Sequence, residues 1–380
     1  MIQVISIGTD RRIFEEGSAV RTRLLKQREL FSKLHVIVCA RRSLGFKAEQ
    51  IGNLWLYPTN SLSRWLYVRD ATALAGALVE QRRMNTHTSV ITVQDPFECG
   101  LAGMRASRRY GKIPLHVQIH TDFLSRAFQD LSILNRVRVL IARRVLTYAC
   151  GIRVVSERIK ESLQKSDMRI SAPIEVLPVF SDAGAIPKRQ KSSLVQKGKD
   201  SSGLVLMVCR FATEKDVPTA LLAFKNLLTM RHSARLVIVG EGPEKNKLIR
   251  EIQLHGLDDS VRVEPWQSDL SAYYQSADVV LVTSRFEGYG LVLLEAARAA
   301  RAVVTTDVGI ARELIPPLYG RFICPVGDAV CVASGLHELL ADVAVRRAYG
   351  AALKAVAKKH FIPEEEYWKL YRTHIERCIR

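Results

Sequence analysis

The sequence predicts an α/β fold of two Rossmann-like domains, and three observations carry that reading. Short apolar runs alternate with helical patterns along most of the chain, the signature of parallel βαβ units. The chain has 380 residues, 48% of them hydrophobic, which is enough for two ordinary cores and long for one. A polar, basic run at 188–203 (KRQKSSLVQKGKDSSG) interrupts the alternation near the middle and reads as a loop or linker.

In the first half, the apolar runs at 2–7, 35–39, 53–57, 90–94, 115–119, 151–155 and 175–177 read as strands. Helical patterns lie between most of them, for example at 18–31 and 70–81. The second half repeats the logic, with strands expected at 204–209, 234–239, 261–264, 279–283, 302–306 and 321–323. Helices are expected at 218–230, 243–255, 269–276, 291–299 and 311–314. The tail from Pro363 begins with a proline and an acidic turn, which suit the start of a last amphipathic helix. The expected division is a first domain at 1–181, a linker at 182–203, a second domain at 204–362 and a C-terminal helix at 363–380.

Composition narrows the class. The opening MIQVISIGTD is strand-like directly after the initiator Met, so no signal peptide is expected. No run reaches the roughly 18–20 apolar residues of a membrane span. Seven cysteines (39, 99, 150, 209, 324, 331, 378) are scattered and form no CxxC pair. The expectation is no disulfide framework, no zinc site and a reducing cytosol. The net charge is +18, and residues 1–180 hold 28 Lys and Arg against 15 Asp and Glu. Such a surface attracts nucleic acid, an anionic membrane or phosphorylated substrates, or is simply solvated. No basic motif interleaved with aromatics is present, so nucleic acid is not expected as a partner. Residues 125–145 (SRAFQDLSILNRVRVLIARRV) read as a basic amphipathic helix or helix pair, which docks on an anionic membrane or packs on the core with a solvated Arg face.

The most informative stretch is SADVVLVTSRFEGYGLVLLEAARAA. A buried strand leads into a loop with Glu287, Gly288 and Gly290, and a helix starting near Leu291 carries Glu295. Ligands of open α/β sheets bind at the carboxyl ends of the strands. Glycines let the backbone approach a phosphate, and the free N–H groups of a helix start face it. Glu287 can accept from sugar hydroxyls and Glu295 from a ribose diol. The alternative is a plain turn and an ordinary surface glutamate. Arg210 and Lys215 follow the strand at 204–209, the same topological place, where two cations can neutralise a diphosphate.

With those residues in view, the second half resembles the family 4 retaining glycosyltransferases, the glycosyl transferases of group 1 with two-Rossmann GT-B architecture. The matching elements, in order over about 203–325, are Arg210 and Lys215, VGEGPEK (239–245), YYQSADVVLVTS (273–284), Glu287 and Glu295, and DVGIARELI (307–315). The resemblance implies two domains facing across a cleft, with the C-terminal helix returning to the N-terminal domain. It implies that Glu287 contacts the donor sugar, that Glu295 contacts the ribose, and that Arg210 and Lys215 bind the diphosphate. Glu241, Gly288, Tyr289, Gly290 and Leu291 become donor-binding candidates. In the first half, HVQIHTDF (116–123) places His120 at a strand end, facing the transferred sugar, and Gly17 is a phosphate-contact candidate. The departures are a first loop with Gly17 alone, and Cys209 and Ile310 where the family usually has Gly.

The expectation is a retaining transferase with no cofactor and no metal. It would take a nucleoside-diphosphate sugar, UDP-sugar favoured, and a glycan or lipid-linked acceptor. Cell-surface polysaccharide or glycolipid synthesis is the implied setting, in the cytoplasm and peripheral on the inner face of the membrane. The competing readings are an epimerase or phosphorylase of the same architecture, and a non-catalytic sugar-nucleotide-binding protein.

Overall fold

The structure is a computed structural model that describes residues 2–180 and 203–379. The linker expected at 182–203 therefore lies, apart from Gly203, outside the described residues. Residues up to Phe180 together with those from Glu364 on form one compact unit, and the described residues between form a second.

The first unit begins β1 (Gln3–Gly8), α1 (Ala19–Gln27), β2 (Lys33–Val38), β3 (Glu49–Ile51), β4 (Leu54–Pro58), α2 (Tyr67–Gln81), β5 (Ser89–Val93) and α3 (Glu98–Arg109). It continues through β6 (Leu115–Ile119), α4 (Arg126–Asp130), α5 (Ile133–Leu146), β7 (Gly151–Val154), α6 (Glu157–Gln164) and β8 (Ile174–Val176). The sheet order is β3-β4-β2-β1-β5-β6-β7-β8. All pairs are parallel except β3 with β4. That antiparallel pair is a short hairpin through Gly52, which at φ +62° takes the left-handed turn a side chain resists. Strands β5 and β6 are buried along their whole length, and the polar residues of β6, His116 and Gln118, both meet the Thr92 hydroxyl inside the unit.

The second unit runs β9 (Leu204–Val208), α7 (Val217–Met230), β10 (Arg235–Val239), α8 (Lys245–Leu254), β11 (Val261–Glu264), α9 (Ser271–Ser276) and β12 (Val279–Val282). It ends α10 (Leu291–Arg298), β13 (Ala302–Thr306), α11 (Ala311–Leu314), β14 (Ile323–Cys324), α12 (Ala329–Ala341) and α13 (Val343–Ala357). The order is β11-β10-β9-β12-β13-β14, all parallel. The strand expected at 321–323 is corrected: the chain makes a 3-10 turn over Pro317–Phe322 and only Ile323–Cys324 pairs. Pro316, Pro317 and Gly320 favour the turn.

The last helix, α14 (Glu364–Glu376), belongs to the first unit, as the fold reading expected. Its buried face is Tyr367, Tyr371 and Ile375, spaced four apart. Gln27 and Gln118 both donate to the Tyr371 hydroxyl, at 2.8 and 3.1 Å. The expectation of no disulfide framework is overturned. Cys378, just past α14, is bonded to Cys150, and Cys324 to Cys331. Spacing along the chain is silent on such pairs, because the fold brings together partners 228 residues apart. The inference of a reducing compartment, drawn from that spacing, no longer follows. Among the described residues no group of His, Cys, Asp and Glu is placed to hold a metal ion.

Two histidines of the first unit, His116 buried and His120 half-buried, give it an acid sensitivity. Burial first, and then nearby cations, push His116 and His120 down to about 3. An unfolded histidine titrates near 6.5. Below that pH the unfolded chain binds protons the folded chain refuses, so stability is full above about 6.5 and is lost as pH falls toward 3. Calorimetry from pH 7 to pH 5 should show the melting temperature falling. Replacing His116, whose Nδ1 lies 3.0 Å from Thr92 Oγ1, by Asn should flatten that slope.

Candidate active site

In the second unit the strand order reverses between β9 and β12, the point at which open α/β sheets bind ligands. Arg210 and Lys215 follow β9, and Glu287 follows β12. The sequence-expected cations and first carboxylate therefore sit at one switch point.

The loops there are tied by specific bonds. Lys215 ends a 3-10 turn over Thr213–Lys215. Its Nζ donates to Glu287 Oε1 at 2.5 Å, and both side chains are about one-fifth exposed. Ser284 Oγ donates to the same carboxylate oxygen at 2.7 Å. Thr283, buried, donates its hydroxyl to the carbonyls of Lys215 and Asp216, both at 3.1 Å. The Arg285 backbone N–H reaches the Glu214 carbonyl at 2.8 Å. Arg210 is mostly exposed and pairs with Glu214. The charges of Arg210 and Lys215 both favour the ionised Glu214 against its burial, which gathers the two cations around one carboxylate.

The glycine loops close the site from two sides. A Cβ on Gly240 would fall 1.9 Å from the Cys209 carbonyl oxygen, and one on Gly242 2.3 Å from that of Phe211. Only glycine allows the loop holding Glu241 to press on the Arg210 segment. Phe211 N–H donates to the Glu241 carbonyl at 2.8 Å, so Glu241 enters through its backbone. Gly290 caps α10 at φ +90°. The first N–H groups of a helix are left largely without intrahelical partners, so α10 offers donors at the end into which the 287–290 loop leads. Tyr289 is buried, and its carbonyl accepts from Ile310 N–H at 2.9 Å. Leu291 is the first residue of α10, and Gly288 lies in the loop before it.

Glu295 sits one turn into α10, apart from the Lys215 pair. Tyr274 donates to its Oε2 at 2.7 Å. Burial raises the Glu295 carboxyl, and the Tyr274 bond and Arg298 pull it back. Tyr274→Phe removes the bond, so more of Glu295 is protonated at a given pH. Donor affinity should fall about tenfold, and its acid limb should move to higher pH. Titration calorimetry at pH 5.5 and 7.5 measures both.

Gly17 and His120 belong to the first unit. His120 lies just beyond β6 and lines a cavity of about 310 Å³ at the switch point between β1 and β5. Gly17 does not line it. Gly17 turns the chain at φ +75° into Ser18, whose hydroxyl caps α1. Of the loop after β1, Thr9 and Asp10 line that cavity. The sequence reading missed Ser284, Glu214 and Tyr274. Ser284 lay in view directly after the β12 run, whereas no spacing rule joins Tyr274 to Glu295.

These features gather two cations, a carboxylate and a helix start at one edge of the second sheet, an arrangement that can bind a diphosphate. The family described as "Glycosyl transferases group 1" matches residues 189–356, and the chain carries a glycosyltransferase domain of that group. Over 355 residues the chain is 24% identical to N-acetyl-alpha-D-glucosaminyl L-malate synthase of Bacillus anthracis, covering 92% of this chain and 91% of that protein. It is 26% identical to alpha-monoglucosyldiacylglycerol synthase of Streptococcus pneumoniae over 229 residues, 57% of this chain and 51% of that protein. Its fold is similar to that of Anabaena HepE in complex with UDP and glucose. The TM-score is 0.71 at 17% identity, over 98% of this chain and 99% of that one.

Proposed function

We propose that the protein transfers a sugar from a UDP-sugar to a hydroxyl of a glycan or lipid-linked acceptor, with the anomeric configuration retained and without a metal ion. The observation that carries this reading is the Lys215–Glu287 pair at the switch point of the second sheet, with Arg210 beside it. Charge builds on the departing diphosphate in the transition state, and preorganised cations act most strongly there. Arg210, Lys215 and the start of α10 supply that positive charge. As donor enters, Lys215 Nζ turns from Glu287 toward phosphate, and Glu287 is freed to accept a sugar hydroxyl. The acceptor proton passes to the leaving phosphate. Likeness to HepE, which holds UDP and glucose, supports UDP as the nucleotide. The N-acetyl-alpha-D-glucosaminyl L-malate synthase and the alpha-monoglucosyldiacylglycerol synthase support a small-molecule or glycolipid product.

The test is a UDP-sugar incubation with EDTA and an acceptor panel, followed by proton NMR. UDP release with a product of the donor's anomeric configuration is expected. Epimerised donor without acceptor, or an inverted product, contradicts it.

The setting we propose is the inner face of a membrane, with α5 as the docking element. No helix among the described residues is long and apolar enough to cross a bilayer. On α5, Ile133, Val137 and Leu140 are 80, 44 and 66% exposed, at one helical face. Exposed Arg136 and Arg144 flank them. An apolar stripe edged by arginines suits anionic lipid. Flotation with phosphatidylglycerol vesicles, and not with phosphatidylcholine alone, is expected. Leu140→Asp should abolish it, and equal binding to both vesicles would refute the docking role.

A further inference from the structure

The cavity of the first unit carries more positive charge than its own structure neutralises. Arg153, on β7, is 4% exposed and lines it. Its hydrogen-bond partners among the described residues are all neutral. Nε donates to the Leu177 carbonyl at 3.0 Å, Nη1 to Gln118 Oε1 at 2.6 Å, and Nη2 to the Pro178 carbonyl and the Tyr367 hydroxyl at 2.6 and 2.8 Å. Among the described residues no carboxylate lies within ion-pair distance of it. A buried charge without a counter-charge is costly, and ligand sites are where such cost is retained.

A second cation adds to it. Arg23, from α1, lines the same cavity and also has no carboxylate within ion-pair distance among the described residues. Among the described residues the one acidic residue on the wall is Asp10, already engaged in accepting from the backbone N–H and the guanidinium of Arg12 at 3.1 and 3.4 Å. Burial first, and then the charges of Arg153 and Arg23, push His120 on the cavity wall well below its usual range. His120 Nε2 is buried and has no partner among the described residues, so it offers one unused hydrogen-bonding atom to an occupant. Trp368 supplies an apolar wall on which a sugar ring or its CH edge can rest.

We propose that this cavity is an anion-recognising acceptor subsite: it takes the carboxylate or phosphate of an acidic acceptor, with Arg23 contacting the anion, Arg153 fixing the positive potential behind it, and His120 Nε2 meeting a hydroxyl. The inference rests on the glycosyltransferase reading above and names the acceptor class for it. A neutral glycan would leave both arginines uncompensated. An acidic one converts them into charge-assisted hydrogen bonds, which are about twice as strong as neutral ones.

Titration calorimetry with two matched pairs tests this. The pairs are glycerol 3-phosphate against glycerol, and methyl glucuronoside against methyl glucoside, with UDP titrated separately. At least one acid should bind tenfold or more tightly than its neutral mate, and the pair that shows it tells phosphate from carboxylate. Arg23→Gln should erase the preference and leave UDP affinity within twofold, which also shows the variant is folded. His120→Asn should weaken the acid and its neutral mate alike. The inference is overturned by neither acid binding at millimolar concentration, by equal binding of acid and neutral mate, or by a preference that survives Arg23→Gln. A loss of UDP affinity in Arg23→Gln as large as the loss of acid binding would also overturn it, by giving the arginines to the donor diphosphate. Failure of the wild-type protein to bind UDP would instead count against the glycosyltransferase reading, with the anion preference still measurable.

Discussion

Lys215→Ala should lower kcat/KM for the donor by roughly 10³-fold, most of it in kcat. Lys215 is held in a built position. Its carbonyl accepts from Thr283, its Nζ lies 2.5 Å from Glu287, and its side chain is only about one-fifth exposed. A cation fixed in a half-buried site needs no reorganisation when charge develops on the leaving diphosphate, so its loss falls mainly on the transition state. Removing it also leaves Glu287 without its counter-charge, which repels phosphate. Lys215→Arg should recover only part of the activity, because a planar guanidinium cannot occupy the point between Glu287 and phosphate that an ammonium fills. Steady-state kinetics with a UDP-sugar measures both variants. A drop of less than about tenfold in Lys215→Ala would remove Lys215 from the catalytic account.

Glu287→Gln should cost roughly 10²-fold in kcat/KM. The carboxylate accepts from both Lys215 and Ser284, at 2.5 and 2.7 Å on the same oxygen. A glutamine keeps the shape but drops the charge that positions the lysine, and it can turn an N–H toward two donors. Ser284→Ala should be milder, about tenfold, since it removes one neutral donor to the same oxygen. Azide should not rescue Glu287→Ala. Rescue would show a carboxylate nucleophile in place of the electrostatic role, and would also displace the proposed transfer of the acceptor proton to phosphate.

The fold was legible because its signals are local. Strands buried on both faces, such as β9 with LVLMV and β12 with VVLV, read as apolar runs of the right length. Gly290 before LVLLEAAR marked a helix start in plain view. Arg210, Lys215 and Glu287 were legible for a related reason. Residues just past parallel strands collect at one sheet edge, so strand assignment alone brings them near each other. What was not legible depends on long-range contact. The Cys150–Cys378 bond joins the chain just past α14 to the residue before the start of β7. The Tyr274–Glu295 bond joins two helices through β12, and nothing in the spacing 274 to 295 announces it. Arg153 is the clearest case: in GIRVVSE it looks like a charge on an edge strand, whereas β8 and α14 cover it and leave it 4% exposed. Gly17 is a separate case. It was singled out as a glycine, and the structure uses it for a turn into a helix cap rather than for a close approach.

The central claim is that the switch point of the second sheet binds the diphosphate of a nucleotide sugar through Arg210 and Lys215. Titrating UDP-, GDP- and ADP-glucose into the wild-type protein and the Arg210→Gln/Lys215→Ala double variant, all in EDTA, tests it most directly. The expected result is binding of the UDP-sugar by the wild type without metal, and a loss of at least tenfold in the double variant with the melting temperature unchanged. Equal binding by the two proteins, or binding of none of the three donors by the wild type, would contradict it.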